Sequence, residues 1–344
     1  MKNTKIPKTI NMISSKILAE EAISRGIKIN HINNYQKEMA FLELIYKNHY
    51  EYILGSNISK STVCATYAVE NKSLTKKLLT RVKISVVKGK LFNKKNIEDV
   101  YKFIDKIKYP IVIKPFDGVH GDLVFIGINN KNNCEKAINC ILKKNNYVLV
   151  EKEFSGKEFR FIAGRNKVFA VAQRDPANVV GNGIHSIREL IKIKNQDPRR
   201  GEGHMCPLTK IKIDNRIKQY LKEQKKEMES ILPFDKKIYL RKNSNLSTGG
   251  DSIDVTDQVH PELKMIAVKT IQAIPGLAYG GIDIMINKDI SEKPTKNSYV
   301  IIELNPSPGL RMHHFPAIGK SRNVAKEIIN ILFPETKGKY IKNK

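Results

Sequence analysis

The segment GGIDIMIN (280–287), a polar loop, and YVIIELNPSPGLRMH (299–313) constrain this chain more than any other feature. Each run alternates apolar with polar residues, which reads as two short strands joined by a loop. Glu303 and Asn305 stand two apart on the second strand, so their side chains leave the same face, and Asp283 on the partner strand can share it. Two carboxylates and an amide oxygen on a rigid hairpin form a hard-oxygen set suited to Mg²⁺, which binds through one or two carboxylates plus substrate phosphates. The alternative is a pair of acidic residues solvating a surface hairpin. Ile301, Ile302 and Leu304 alongside argue for burial. An unpaired buried carboxylate is costly, and a cation removes that cost.

At 344 residues the chain can build two or three lobes around a substantial core. It has no apolar run of membrane-spanning length, and MKNTKIPKTI carries charge without a signal-like apolar stretch. Cys64, Cys134, Cys140 and Cys206 lie without metal spacing, which points to reduced thiols and a cytoplasmic setting. The net charge of +27 raises the alternative of a basic nucleic-acid-binding protein. The lysines are dispersed, Lys far outnumbers Arg, Trp is absent and no basic run is interleaved with aromatics, so no specific nucleic-acid partner is expected. A positive field equally suits an anionic nucleotide or an acidic peptide.

Along the chain, SSKILAEEAISRG predicts an amphipathic helix ended by glycine, and IKINHI a strand. This region, to about residue 61, is too small to stand alone and should pack on the rest of the chain. A helix is predicted from Asn71–Lys72, a strand at VKISVVKG, and a helix at NIEDVYKFIDKI. YPIVIKPFDGVHGDLVFIGI reads as strand–loop–strand, with Lys114 held extended before Pro115. Gly118 and Gly121 give the loop the freedom for close approach to phosphates, although hairpin turns use the same residues. A lysine in an apolar strand needs an anion nearby. NNCEKAINCILKK comes next as a helix and YVLVEKEF as a buried strand. GKEFRFIAGRNKVFAVAQRDP gives two antiparallel strands carrying Arg160 and Arg174. Residues 179–214 mix helix with polar loop, STGGDSIDVTDQVHP reads as turn-rich, and PELKMIAVKTIQAI as a helix. The polar tail after Pro334 is expected to fray.

In order, these pieces resemble the ATP-grasp superfamily of carboxylate–amine ligases over nearly the whole chain. VLVEKEFSGKEFRFIAG, AQRDPANVVGNGIHSIRELI, DPRRGEGH, STGGDSIDVTDQVHP and ELNPSPGLRMHHFP are similar to the ATP-grasp portion of cyanophycin synthetases. ISSKILAEEAISRGIKIN and ENKSLTKKLL resemble the ligase half of bifunctional glutathione synthetases. The fold implied is α+β: a small N-terminal strand–helix region (1–61), then an ATP-grasp domain (62–334), then a tail (335–344). Within that domain a lid (about 75–150) and a metal-carrying C-terminal sheet (about 151–334) form two antiparallel-sheet lobes that grip ATP.

The resemblance also assigns roles. Lys72 and Lys114 correspond to the lysines that neutralise ATP phosphates. Residues 151–154 correspond to the hinge that holds adenine, with Glu151, Lys152 and Phe154 as contacts. Gly118, Gly121 and Ile302 complete the nucleotide contacts, and Glu158 takes the ribose hydroxyls. Asp283, Glu303 and Asn305 correspond to ligands of Mg²⁺, for which Mn²⁺ could substitute. Arg174 and Arg311 are the arginines placed to stabilise charge on the transferred phosphoryl group or acyl phosphate. For Arg160, pairing with a surface glutamate is the alternative. His120, His185 and His313 lie in family-like motifs and are given no acid–base role. One departure stands out: the family loop continues with an arginine and a glycine where this chain has Asp122 and Leu123.

The implied reaction is amide or peptide bond formation through an acyl phosphate, on an amino acid or peptide carboxylate and an amine, releasing ADP and phosphate. The competing class is an ATP-binding regulator with weakened turnover, supported by the altered loop. No membrane partner is expected. A symmetric homodimer is the default assembly, and a partner enzyme or peptide carrier that presents the substrate is left open.

Overall fold

The computed structural model describes residues 10–32, 40–116, 123–203 and 205–341. Helix α1 (Ile13–Ser24) leads into the strands β1 (Lys28–Ile32), β2 (Phe41–Tyr46), β3 (His49–Leu54) and β4 (Asn57–Ile58), which form one antiparallel sheet in sequence order. Next come α2 (Val63–Glu70) and α3 (Lys72–Arg81), capped by the side chains of Thr62 and Asn71, which accept from the amides of Ala65 and Leu74. A second sheet is built from β5 (Gly89–Asn93), β6 (Ile111–Pro115), β7 (Phe125–Ile128) and β8 (Tyr147–Lys152) in the order β5-β8-β6-β7, with α4 (Asp99–Ile107) and α5 (Lys131–Leu142) on one face.

The chain then enters the main sheet through β9 (Lys157–Gly164) and β10 (Val168–Asp175). It leaves for an excursion comprising β11 (Asn178–Val180), α6 (Ile187–Lys194), β12 (Arg200–Gly201), β13 (Leu208–Thr209), α7 (Asn215–Glu223) and β14 (Lys237–Tyr239). It returns through β15 (Asp251–Asp254), α8 (Pro261–Gln272), β16 (Tyr279–Ile286) and β17 (Tyr299–Asn305), and ends with α9 (Arg311–His314) and α10 (Val324–Leu332). The main sheet has the order β15-β10-β9-β16-β17.

Strand alternation decides which face of this sheet does what. Phe159, Phe161, Ala163, Val171, Ile282 and Ile284 point into a core shared with α2, α3 and α8. On the opposite face Ile162 and Ala170 lie in a core with the N-terminal sheet, α1 and α10. The N-terminal region thus has no core of its own and is completed by the main sheet, as its size requires. The excursion between β11 and β14 has a separate core that includes Ile187, Ile191, Ile217, Leu221 and Leu232. It is fastened to the sheet by a buried ionic cluster. Asp175 and Asp251 stand opposite each other on β10 and β15; Lys237 holds the first at 2.8 Å, while Lys194 (2.6 Å) and Arg200 hold the second.

Three local expectations are corrected. VKISVVKG is not a strand: Lys83 turns the backbone to φ 60°, and the segment makes a single parallel bridge, Val86 to Ile301, before β5 begins at Gly89. STGGDSIDV contains a strand, β15, whose polar residues are acceptable at a sheet edge because Asp251 finds its cations in the excursion. The tail does not fray at Pro334. Tyr340 donates to Glu21 Oε1 at 3.2 Å, and the Ile341 amide donates to the Ser24 carbonyl at 2.8 Å.

His49 joins the tail to β3. Its ring nitrogens lie 2.8 Å from Glu335 and 2.9 Å from Glu51, and these two partners raise its pKa above the ordinary 6.5. The stabilisation is therefore complete below about pH 6.5 and is lost as pH rises through the higher folded value. His49→Ala is expected to lower stability more at pH 6 than at pH 9, by less than about 1 kcal/mol because the pair is part-exposed. Urea melts at the two pH values check this, and equal losses would refute it.

Candidate active site

On the sheet face opposite the α8 core, register alone assembles a row of charge. Arg160 on β9 pairs with Asp283 on β16, and Asp283 pairs with Glu303 on β17. One step along the same face, Glu158 on β9 is opposite Arg174 on β10. In the other direction Asn305 lies opposite Gly281. Gly281 is needed there, because a Cβ would come 2.8 Å from Pro308 Cβ and 3.3 Å from the Arg160 side chain. Between Glu303 and Ile301 the ladder slips by one residue, so Ile302 is the bulged position beside the carboxylates.

Arg160 is buried and forks onto Asp283, with Nη2 to Oδ2 at 2.8 Å and Nε to Oδ1. The surface glutamate considered as its partner is thus replaced by a buried aspartate. Arg174 Nη1 bridges Glu158 (2.6 Å) and Asp283 (3.0 Å), and Ser244 donates to the other Glu158 oxygen. Burial works against the Asp283 charge, but Arg160 and then Arg174 hold its carboxyl below the ordinary range. Burial pushes Glu158 the other way, and its share of Arg174 does not offset that.

The facing sheet contributes Lys114 and Glu151. Lys114 is opposite Leu149 in the β6–β8 ladder, so Glu151 is its diagonal neighbour on the same face. Lys114 Nζ lies 2.7 Å from Glu151 Oε2, and this is the anion that a lysine in an apolar strand requires. Lys76 on α3 takes the other oxygen. Burial alone would raise the Glu151 pKa, but Lys114 and Lys76 keep it below the usual range, so the carboxylate is charged. Lys72, the first residue of α3, comes within 3.8 Å of Glu303, and a cleft between α3 and β17 is lined by Lys72, Lys76, Ile302 and Glu303. Glu303 and Glu158 both favour the charge on Lys114, so the two sheets act on one electrostatic site.

Other expected residues fall less centrally. The Lys152 amide donates to the Lys88 carbonyl at 2.8 Å, and its ammonium reaches the carbonyls of Lys108 and Tyr109, so backbone around its own sheet occupies it; Phe154, two residues on, is half-buried. Arg311 donates to the carbonyls of Gly203 (2.8 Å) and Cys206 (3.0 Å) and to Thr209 Oγ1 (3.0 Å), which ties it to the excursion. His185 accepts or donates locally with Asn182 at 2.8 Å. His313 is fully buried. Neither ring nitrogen has a partner among the described residues, and burial, helped by Arg160, brings its pKa down to about 3. Gly118, His120, Gly121 and Asp122 lie outside the described residues. Leu123, the next residue described, has φ 56°. Two partners were missed from sequence, Lys76 and Ser244; only Lys76 gave a signal, standing one helical turn after Lys72.

A profile of the RimK-like ATP-grasp domain matches residues 69–179 and 239–332, more than half of the chain. The chain belongs to the RimK-like ATP-grasp family. The stretch between the two matched blocks is the excursion from β11 to β14. Among proteins similar to this RimK-like domain is the bifunctional glutathione biosynthesis protein of Clostridium perfringens, 37% identical over 325 residues, which cover 93% of this chain and 41% of that protein. Cyanophycin synthetase of Crocosphaera subtropica is 38% identical over 324 residues, covering 93% and 36%. The crystal structure of a bifunctional glutathione synthetase from Pasteurella multocida superposes with a TM-score of 0.72 at 34% identity, covering 95% of this chain and 45% of that one. The chain therefore spans about two fifths of the length of the curated relatives it matches. The α+β ATP-grasp architecture expected from sequence is the one observed, with two antiparallel sheets facing one another across the charged cleft.

The residues present suit a hard divalent cation in part. Glu303, whose side chain is 31% exposed, and the half-buried Asn305 offer oxygens on one face. Asp283 already gives both oxygens to guanidinium groups, so it would join them only by yielding one.

Proposed function

We propose that this domain is an ATP-dependent carboxylate–amine ligase. The observation that carries the reading is the convergence of cations and carboxylates from two lobes: Lys72 from α3 and Glu303 from β17 line one cleft, and Lys114 from the lid sheet feels the Glu303 charge. In this reading ATP lies between the sheets, its phosphates against Lys72 and Lys114 and its ribose hydroxyls on Glu158. Glu303 and Asn305, with Asp283 behind them, would hold Mg²⁺, which neutralises phosphate charge when bound.

A substrate carboxylate attacks the terminal phosphoryl group, giving an acyl phosphate and ADP. An amine then attacks the acyl carbon and loses a proton, and phosphate leaves with the C–O electron pair as the amide forms. The chain's task is positioning and charge stabilisation, in which Arg174, beside Asp283, would stabilise the acidic intermediates, and Arg311 would do so only by leaving the carbonyls of Gly203 and Cys206. An amino acid or peptide carboxylate joined to an amino acid is the substrate pair this reading favours, since the relatives are named for glutathione and cyanophycin synthesis.

The test is ADP release with Mg²⁺-ATP across pools of amino acids, dipeptides and acidic peptides, with products weighed by mass spectrometry. ADP release that depends on one pool, with the mass of an amide, is the expected result. Tight ATP binding with no ADP from any pool would favour the regulator reading. One observation bears on that reading: a non-glycine residue, Leu123, is held in left-handed backbone, which costs roughly 1–2 kcal/mol. Asp122→Arg combined with Leu123→Gly would then be expected to restore turnover.

A further inference from the structure

Lys76 belongs to no role assigned above, yet it is one of two lysines on a single buried carboxylate. It lies one turn after Lys72 on α3, so both side chains leave the same side of the helix. Its ammonium pairs with Glu151 Oε1, while Lys114 holds Oε2 at 2.7 Å. Space for this trio depends on Gly89, which is opposite Glu151 in the β5–β8 ladder. A Cβ at residue 89 would come 2.7 Å from Glu151 Cγ and 3.2 Å from Lys76 Nζ. With two ammonium groups on one carboxylate, Glu151 keeps a partner when one of them turns away.

We infer that Lys76 is a positioning residue that frees Lys114 to bind a polyphosphate. This rests on the ligase reading of the cleft. Lys114 can turn from Glu151 toward a phosphate only if the buried carboxylate it leaves stays neutralised, because an unpaired buried charge is strongly disfavoured. Lys76 supplies that neutralisation. Since Lys76 stands on α3 beneath the main sheet and Glu151 on the lid sheet, the same pair sets the lid in register with Lys72 and Glu303. Without Lys76, Glu151 would keep Lys114 for itself.

The experiment is calorimetric binding of Mg²⁺-ATP and of adenosine to the full chain. Lys76→Met is expected to weaken Mg²⁺-ATP at least about tenfold and leave adenosine unchanged, while Lys76→Arg retains most of the ATP affinity. Gly89→Ala, which disturbs the trio from the other side, should give the same contrast and serves if Lys76→Met does not fold. In a Glu151→Gln background, where Lys114 has no carboxylate to leave, Lys76→Met should lose most of its effect on ATP. A merely structural role would weaken both ligands alike and persist in that background. ATP binding by the unaltered chain together with full ATP affinity in Lys76→Met would overturn this inference alone. Absence of ATP binding by the unaltered chain would overturn it together with the proposed function.

Discussion

Glu303→Gln should lower ADP formation by about 10²–10³-fold, the loss seen when one preorganised charge is removed from a transition state, with little change in folding. Stability should hold because Glu303 is part-exposed, its contact with Lys72 is long at 3.8 Å, and a glutamine amide can donate to Asp283 opposite it. Turnover should fall because Glu303 is the most accessible carboxylate on the face where a divalent cation and the phosphates would meet. ADP release measured beside a urea melt separates the two effects. Undiminished turnover would remove β17 from the chemistry and with it the proposed reaction.

Arg160→Met is expected to cost about 3–5 kcal/mol of stability at pH 7, as breaking a buried pair from one side does. The cause is Asp283, which would stay buried with Arg174 alone, already shared with Glu158. The pH dependence has a definite sign. The folded pKa of Asp283 lies below its unfolded value, so the stabilisation it supplies is present above that unfolded value, about 3.9, and is lost as pH falls through the folded one. The gap between wild type and Arg160→Met should therefore narrow in acid, where protonation of Asp283 removes the charge that needs a partner. Urea unfolding at pH 7 and about pH 3 measures it, and a cost under about 1 kcal/mol at pH 7 would contradict the burial of this pair.

What could be read from sequence was what local periodicity carries. Alternation in GGIDIMIN and YVIIELN put Asp283, Glu303 and Asn305 on one face, and the ladder Asp283–Glu303 shows why. Asn71 as helix cap placed Lys72 at a helix start. Periodicity cannot show which charges meet across sheets. Lys114 clearly needed an anion, yet nothing in the chain named Glu151, a diagonal neighbour set by β6–β8 register. Arg160 reads as an ordinary strand arginine until β9 and β16 are paired. The strand at 251–254 was hidden because its polarity is balanced by residues about fifty positions earlier. VKISVVKG has strand composition, but Lys83 in left-handed backbone redirects it.

The excursion between β11 and β14 begins and ends at residues that are partners in one ladder, Asn178 with Tyr239, so its two ends are separated by the width of a strand pair. An element attached in this way can be lengthened or rebuilt like an exchangeable cassette without moving the sheet it leaves and rejoins. The condition on any such exchange is electrical. Asp175 and Asp251 belong to the sheet, whereas Lys194, Arg200 and Lys237 arrive with the cassette, so a replacement must bring its own cations to the same two aspartates.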